Sequence, residues 1–341
     1  MKEADRITPI APERVMEAIH KGINNAQSKL GADMPETNIT VLGYRGVHND
    51  YNKVFDIAQK KGLITDSEIN TRLRNGEKSE TICQKLIKEN KDVKELEQAY
   101  NIVPLNALKL TKKEVLEHAQ LAVKFAQDPK YKGIVTGFDI AGPEFDTSPM
   151  VFKESFDVLK TYNLANPDNK IGITVHAGET PTTIDANGNM VSSKQGIIEA
   201  VNLGTNRIGH GLQAFDSPEI MSLLKKNNVT VEINATCNIN SIPEGVKGMS
   251  YHPVKNLNEN GVKLAVCSDN QTMCGTDPGL EFTKMSFLGY EDLTDINRMR
   301  EIVLNGVESG FTSKETKDKL NLEINNQFDR TIDLFMLELV E

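Results

Sequence analysis

Short stretches rich in Val and Ile, each bounded by Gly, Asn or Asp and most followed by a longer segment of helical periodicity, constrain this chain more than anything else in it. Six stand out: ITVLGYRG (39–46), GIVTGFDIAG (133–142), IGITVHAGE (171–179), RIGHGL (207–212), VTVEINA (229–235) and VKLAVCSDN (262–270). The last five begin about 22 to 38 residues apart, the length of a strand, a helix and two loops, which predicts a parallel sheet or a β/α barrel. In either architecture the reactive residues gather where strands end, because the loops there form the mouth of the pocket.

The first interval breaks the rhythm. Almost a hundred residues separate Ile39 from Gly133, dominated by charged helical sequence, so a helical insert is expected over about 62–130, within one domain spanning 1–341. A solvated helical excursion is the plain meaning of that insert; a lid or a partner-binding surface is the sharper one. Ahead of the first strand, Val15, Ile19 and Ile23 fall at helical spacing and predict a helix packed on the outside of the sheet. Residues 298–335 read as helices that close the fold.

Charge and cysteine usage narrow the class. Lys and Arg total 39 against 48 Asp and Glu, and a net charge of −9 argues against general affinity for nucleic acid or anionic membrane. No run approaches the ~18 apolar residues of a membrane span, and the opening stretch carries acids and prolines where a signal peptide needs an apolar centre, so a cytoplasmic location is expected. Cys83, Cys237, Cys267 and Cys274 never occur as CxxC, which predicts reduced thiols and neither a disulfide framework nor a cysteine-held zinc.

Polar residues at strand ends carry the chemistry. His176 leaves an apolar strand beside Ala177, Gly178 and Glu179, a setting that suits a metal ligand next to an acid. His210 sits between Gly209 and Gly211, so it is exposed either to a cavity or to a turn. Asp269, following an apolar run, must be solvated, hydrogen-bonded or bound to a cation; taken alone, such a residue is often only a helix N-cap.

HAGET (176–180), RIGHG (207–211), Ser268-Asp269 and FDIAGPE (138–144) together resemble, in order and spacing, the signature of the adenosine deaminase family. That family belongs to the metal-dependent (β/α)8 TIM barrels of the amidohydrolase superfamily. The resemblance runs from about Ile39 to the tail, where NGVESGFTSKETKDKL (305–320) is similar to the family's closing helical region, and the charged insert has no recognised counterpart. It implies that His176 and Asp269 are ligands of one Zn2+. It implies that Glu179 protonates the purine ring nitrogen, that His210 orients the nucleophile, and that Gly142 and Asn270 contact the purine. A zinc-held water has its pKa lowered toward neutrality, and an aromatic carbon accepts it only when an acid such as Glu179 loads the ring. The activity so implied is conversion of adenosine or deoxyadenosine to inosine and ammonia.

The resemblance also has gaps. The family's first strand supplies two more zinc ligands as His-x-His, and none of His20, His48, His118, His176, His210 and His252 forms such a pair. Arg45 closes ITVLGYRG as an arginine closes the family's third strand, which predicts about six of eight strands in this chain and two missing ligands. An exposed sheet edge would then invite self-association or a complementing N-terminal segment. His20 and His48 are the candidates for substitute ligands. Asn270 stands where the family usually has Asp, and an amide can donate where a carboxylate only accepts. EINATCN (232–238) lacks the family's usual Cys-Pro at that strand end. Three functions stay open: a zinc-dependent adenosine deaminase; a catalytically impaired purine-binding or scaffold protein; and a related deaminase of adenine, aminofutalosine or a nucleotide.

Overall fold

The computed structural model describes residues 11–30, 38–47, 49–144, 147–180, 183–184, 190–241, 253–287 and 295–338. Six strands form one wholly parallel sheet: β1 (Ile39–Tyr44), β2 (Val135–Ala141), β3 (Gly172–Ala177), β6 (Arg207–His210), β7 (Thr230–Ile233) and β8 (Leu264–Val266). Their order is β1-β2-β3-β6-β7-β8, so the strands of this sheet lie side by side in chain order, and among the described residues the sheet does not close on itself. All six expected strands are present, in the α/β arrangement of an incomplete barrel. A small antiparallel pair, β4 (Thr183–Ile184) and β5 (Met190–Val191), forms a separate hairpin after β3.

The helices, in chain order, are α1 (Pro12–Leu30), α2 (Asn52–Lys60), α3 (Asp66–Arg74), α4 (Ser79–Glu89), α5 (Lys94–Gln127), α6 (Lys153–Ala165), α7 (Ser193–Asn202), α8 (Pro218–Lys226), α9 (Ala235–Ser241), α10 (Val254–Glu259), α11 (Gln271–Cys274), α12 (Pro278–Phe287), α13 (Ile296–Ser309) and α14 (Lys314–Glu338). The chain divides into two units, Met1–Met34 with Val47–Glu114, and Pro35–Gly46 with Val115–Glu341.

The first unit is helical, with a core of its own. Val54, Ala58, Ile82, Cys83 and Leu96 are fully buried in it, and Tyr51 stacks on Tyr100 at 5.7 Å between ring centroids. Thr65 starts α3 with a capping box to Glu68, a sequence-local signal for a helix start. In α1, Met16 is buried and Val15 is exposed, so the apolar face of that helix is displaced from the one its spacing predicts.

The second unit holds the sheet. Phe138, Ile140, Val175, Ile208 and Val231 are fully buried on it, each worth roughly 1.5–3 kcal/mol of transfer free energy. Helices α6, α7 and α8 connect successive strands of the sheet, and α13 packs against β8. Where the sequence suggests strand through Ala235, β7 stops at Ile233 and α9 begins. Among the described residues no helix is long and apolar enough to cross a membrane.

Candidate active site at the strand carboxyl ends

His176 and His210 lie at the ends of adjacent strands, and their rings meet edge-on with centroids 5.1 Å apart. The register explains the closeness. Gly209 pairs with His176 across β3 and β6, and a Cβ at Gly209 would come within 3.2 Å of the imidazole. A glycine between Ile208 and His210 is therefore what makes room for the neighbouring ring. His210 is 1% exposed and adopts φ 67°, and Asp269 adopts φ 51°. Left-handed backbone at non-glycine residues is costly and concentrates at functional sites.

Asp139 on β2 reaches His176, its two carboxylate oxygens 3.1 and 3.2 Å from Nδ1. Burial works against a charged ring here, but the bond and charge of Asp139, with Glu232 and Glu179 beyond, outweigh it and push His176 up to about 9. That contact occupies Nδ1 and leaves Nε2 as the nitrogen available to a ligand.

His210 is governed oppositely. Burial, and then the charge of His176 beside it, hold it well below the ordinary imidazole value, with Asp269 as a weaker opposing influence. The amide nitrogens of Asn238 and Asn234 face its Nδ1 at 2.8 and 3.3 Å. With the amides so oriented Nδ1 accepts, and the proton resides on Nε2. Nε2 lies 3.6 Å from Oε2 of Glu179, just beyond hydrogen-bond reach. Glu179 is itself held above the usual carboxylate range, first by burial and then by the charge of Glu144. The result is a neutral imidazole facing a carboxyl held above its usual range.

Support for these groups comes from elements the sequence reading did not single out. Glu144 accepts from the peptide N–H of Gly178 at 2.8 Å and of Glu179 at 2.6 Å. Asn234 and Asn238 are brought to one imidazole by α9, whose i to i+4 spacing stacks them on the same side. The start of α9 is pinned by the fully buried Glu281, which accepts from the Thr236 N–H at 3.0 Å. Asp139 had a legible signal, a carboxylate inside an otherwise apolar strand; the Asn pair had only its spacing.

Beneath the site, Arg207 donates to Glu232 at 2.6 Å and to the Cys267 sulfur at 3.4 Å, and Thr174 donates to Glu232 at 3.2 Å. Burial, then the Glu232 charge, pushes the Cys267 thiol up to about 12, so it stays protonated and inert. All four cysteines are free, as expected.

The remaining expected site residues are less directly engaged. Gly142 adopts φ 117°, and its carbonyl accepts from Nε of the buried Arg45 at 3.1 Å. A Cβ on Gly142 would meet the Tyr44 ring at 3.0 Å, a tight contact that adds to the strain a side chain would carry at this φ. Asp269 is exposed and reaches the site as charge, acting on both His210 and Glu179. Asn270 is exposed and caps α11, its side-chain oxygen accepting from the Met273 N–H at 3.0 Å. The strand stops at Val266, so Cys267 and Asp269 do not share a regular strand face. Of the substitute ligands, His20 lies on α1, and His48 lies outside the described residues.

Zinc fits this donor set poorly. A catalytic zinc takes three protein ligands, and no group of three His, Cys, Asp or Glu among the described residues is arranged to hold a metal ion. The two ligands that the resemblance implies, His176 and Asp269, fall one short of that number.

Residues 68–327 match the family model described as adenosine deaminase. An adenosine deaminase from Clostridium kluyveri is 31% identical over 221 residues, covering 64% of this chain and 57% of that protein. One from Plasmodium gallinaceum is 33% identical over 191 residues, covering 56% of this chain and 47% of that protein. The chain thus spans about half the length of the curated relatives it matches. Among solved structures, an amidohydrolase from Burkholderia ambifaria with bound Zn superposes with a TM-score of 0.52 at 15% identity, covering 89% of this chain and 93% of that one, a likeness of fold alone.

Proposed function

Because the chain belongs to the adenosine deaminase family, we propose that its strand carboxyl ends carry the acid and orienting groups of a purine deaminase acting on adenosine, with inosine and ammonia as products. The observation that carries this reading is the pairing of Glu179, held toward its protonated form, with a neutral His210 whose Nε2 lies 3.6 Å away.

Deamination replaces the exocyclic amine by water, which is slow unless the ring nitrogen beside the attacked carbon takes a proton. Glu179 supplies that proton and takes one from the water as the new C–O bond forms; it then passes that proton to the amine, the C–N bond breaks to release ammonia, and the proton of the added hydroxyl returns the carboxyl to its starting state. Neutral His210 presents Nε2–H to the incoming oxygen and steadies its charge. Asp139 holds His176 by Nδ1, leaving Nε2 toward the mouth. Gly142 keeps its backbone accessible to a flat base at the end of β2.

The metal bound in the Burkholderia structure favours a metal in the whole active enzyme, whereas the two donors here fall short of a zinc site. That shortfall also favours the second reading, a purine-binding protein of the same ancestry without turnover.

An ultraviolet assay of the purified chain with adenosine, deoxyadenosine, adenine and AMP, with and without added Zn2+ and alongside metal analysis, separates the readings. Turnover preferring adenosine supports the first; binding without turnover supports the second; preference for adenine or AMP moves the assignment to a related deaminase.

A further inference from the structure

We propose that Glu144 is the positioning residue for Glu179: its carboxylate grips the two peptide N–H groups that follow β3 and so sets where the Glu179 side chain enters the site. The inference rests on the reading of Glu179 as the acid. Glu144 Oε2 accepts from Gly178 at 2.8 Å and Oε1 from Glu179 at 2.6 Å, one oxygen for each donor. Bonds from peptide N–H groups to an ionised carboxylate are short and strong relative to neutral ones.

The two partners come from different strands. Glu144 leaves β2 through Gly142 and Pro143, with the glycine at φ 117° turning the chain, and Gly178 turns the chain out of β3 at φ 74°. At Gly178 a Cβ would strike Ile197 at 2.5 Å, so that turn is confined from the far side as well. Without the carboxylate, the N–H groups of 178 and 179 would lose their shared acceptor and the Glu179 side chain would lose its fixed origin. The Glu144 charge also works with burial to hold the Glu179 carboxyl above its usual range, so one residue bears on both the placement and the acidity of that group.

The test uses the full chain as wild type, Glu144→Gln and Glu144→Ala, labelled with 13C at glutamate side chains, with the Glu179 resonance identified by its loss in Glu179→Gln. In Glu144→Ala the amides of Gly178 and Glu179 should exchange about tenfold faster or more, and the Glu179 carboxyl resonance should shift or broaden. β3 amides should remain protected. Glu144→Gln, which keeps one accepting oxygen, should fall between, and it decides the matter if the alanine variant does not fold. Unchanged exchange at both amides, or an unmoved Glu179 resonance, overturns the proposal. With adenosine as substrate, kcat in Glu144→Ala should fall on the order of a hundredfold while KM stays within about twofold; a change confined to KM also overturns it. A wild-type chain without turnover counts against the deaminase reading, and the exchange and resonance results then decide the clamp by themselves.

Discussion

The two ends of the parallel sheet are built from opposite chemistries. At the carboxyl ends, titratable groups are buried against one another and driven from their ordinary protonation: His176 upward, His210 downward, Glu179 upward. At the amino ends a cavity of about 850 Å3 opens, rimmed by Lys132, Lys170, Lys263, Lys314 and Lys317 and backed by Phe311. There the side chains close off backbone. Asn163 donates to the Ile171 carbonyl and accepts from its N–H, both at 2.8 Å, and Asn206 accepts from the Ile173 N–H at 2.9 Å. Phe311 lies flush on Gly172, whose hypothetical Cβ would sit 2.1 Å from the ring. That cavity lies at the amino ends, and the groups with displaced protonation lie at the other. Space by itself says nothing about whether the groups around it can move a proton.

The contrast can be broken or sharpened by experiment. The largest effect should come from Glu179→Gln, which keeps the shape and removes the acid; turnover should fall by about 10²–10⁴-fold with binding of the nucleoside little changed, as measured by steady-state kinetics and calorimetry. An unchanged kcat would remove the carboxyl ends from the chemistry.

Asp139→Asn should come next, and its signature is pH-dependent. The His176 ring is raised from 6.5 to about 9, so its stabilisation is complete below about pH 6.5 and is lost as pH rises through about 9. In metal-free protein the variant should therefore be less stable than wild type by about 1.5–3 kcal/mol at pH 6, and the two should converge above about pH 9. Denaturant melts at several pH values check this, and a constant gap would show that the pair is not what raises His176.

Gly172→Ala should destabilise by about 1–3 kcal/mol through collision with Phe311, while leaving kcat per folded molecule unchanged. A kcat loss exceeding the stability loss would show that the two ends communicate. The smallest effect is expected from Lys170→Ala, exposed on the cavity rim, within about 0.5 kcal/mol in stability and without change in turnover.

How much of this was legible beforehand varies by residue. His176 and His210 were readable because a polar ring at the end of an apolar strand has few bland explanations once two occur at neighbouring strand ends. The strands at the centre of the sheet are readable because strands buried on both faces need nearly continuous apolar runs, whereas β1, with Leu42 and Tyr44 exposed, is readable from its Val and Ile content. Asn270 carries two readings at once. The resemblance implies contact with the purine, and in the structure its side-chain oxygen caps α11, because the same short polar residue serves a helix start equally well. Asn234 lies near the end of the expected strand 229–235 and Asn238 lies beyond it, so the pattern gives no reason for both to meet one imidazole; only the turn into α9 makes them partners of His210.

The sequence alone determined the alternation of strands and helices, the family, and which side chains stand at the strand ends, because these follow from local periodicity and from ordered words such as HAGE and RIGHG. Tertiary structure decided what those side chains are chemically. A protonation state depends on burial and on charges that approach from other strands, Asp139 on His176, Glu144 on Glu179, His176 on His210. Such distances arise only when β2, β3 and β6 lie side by side, and no spacing along the chain encodes them.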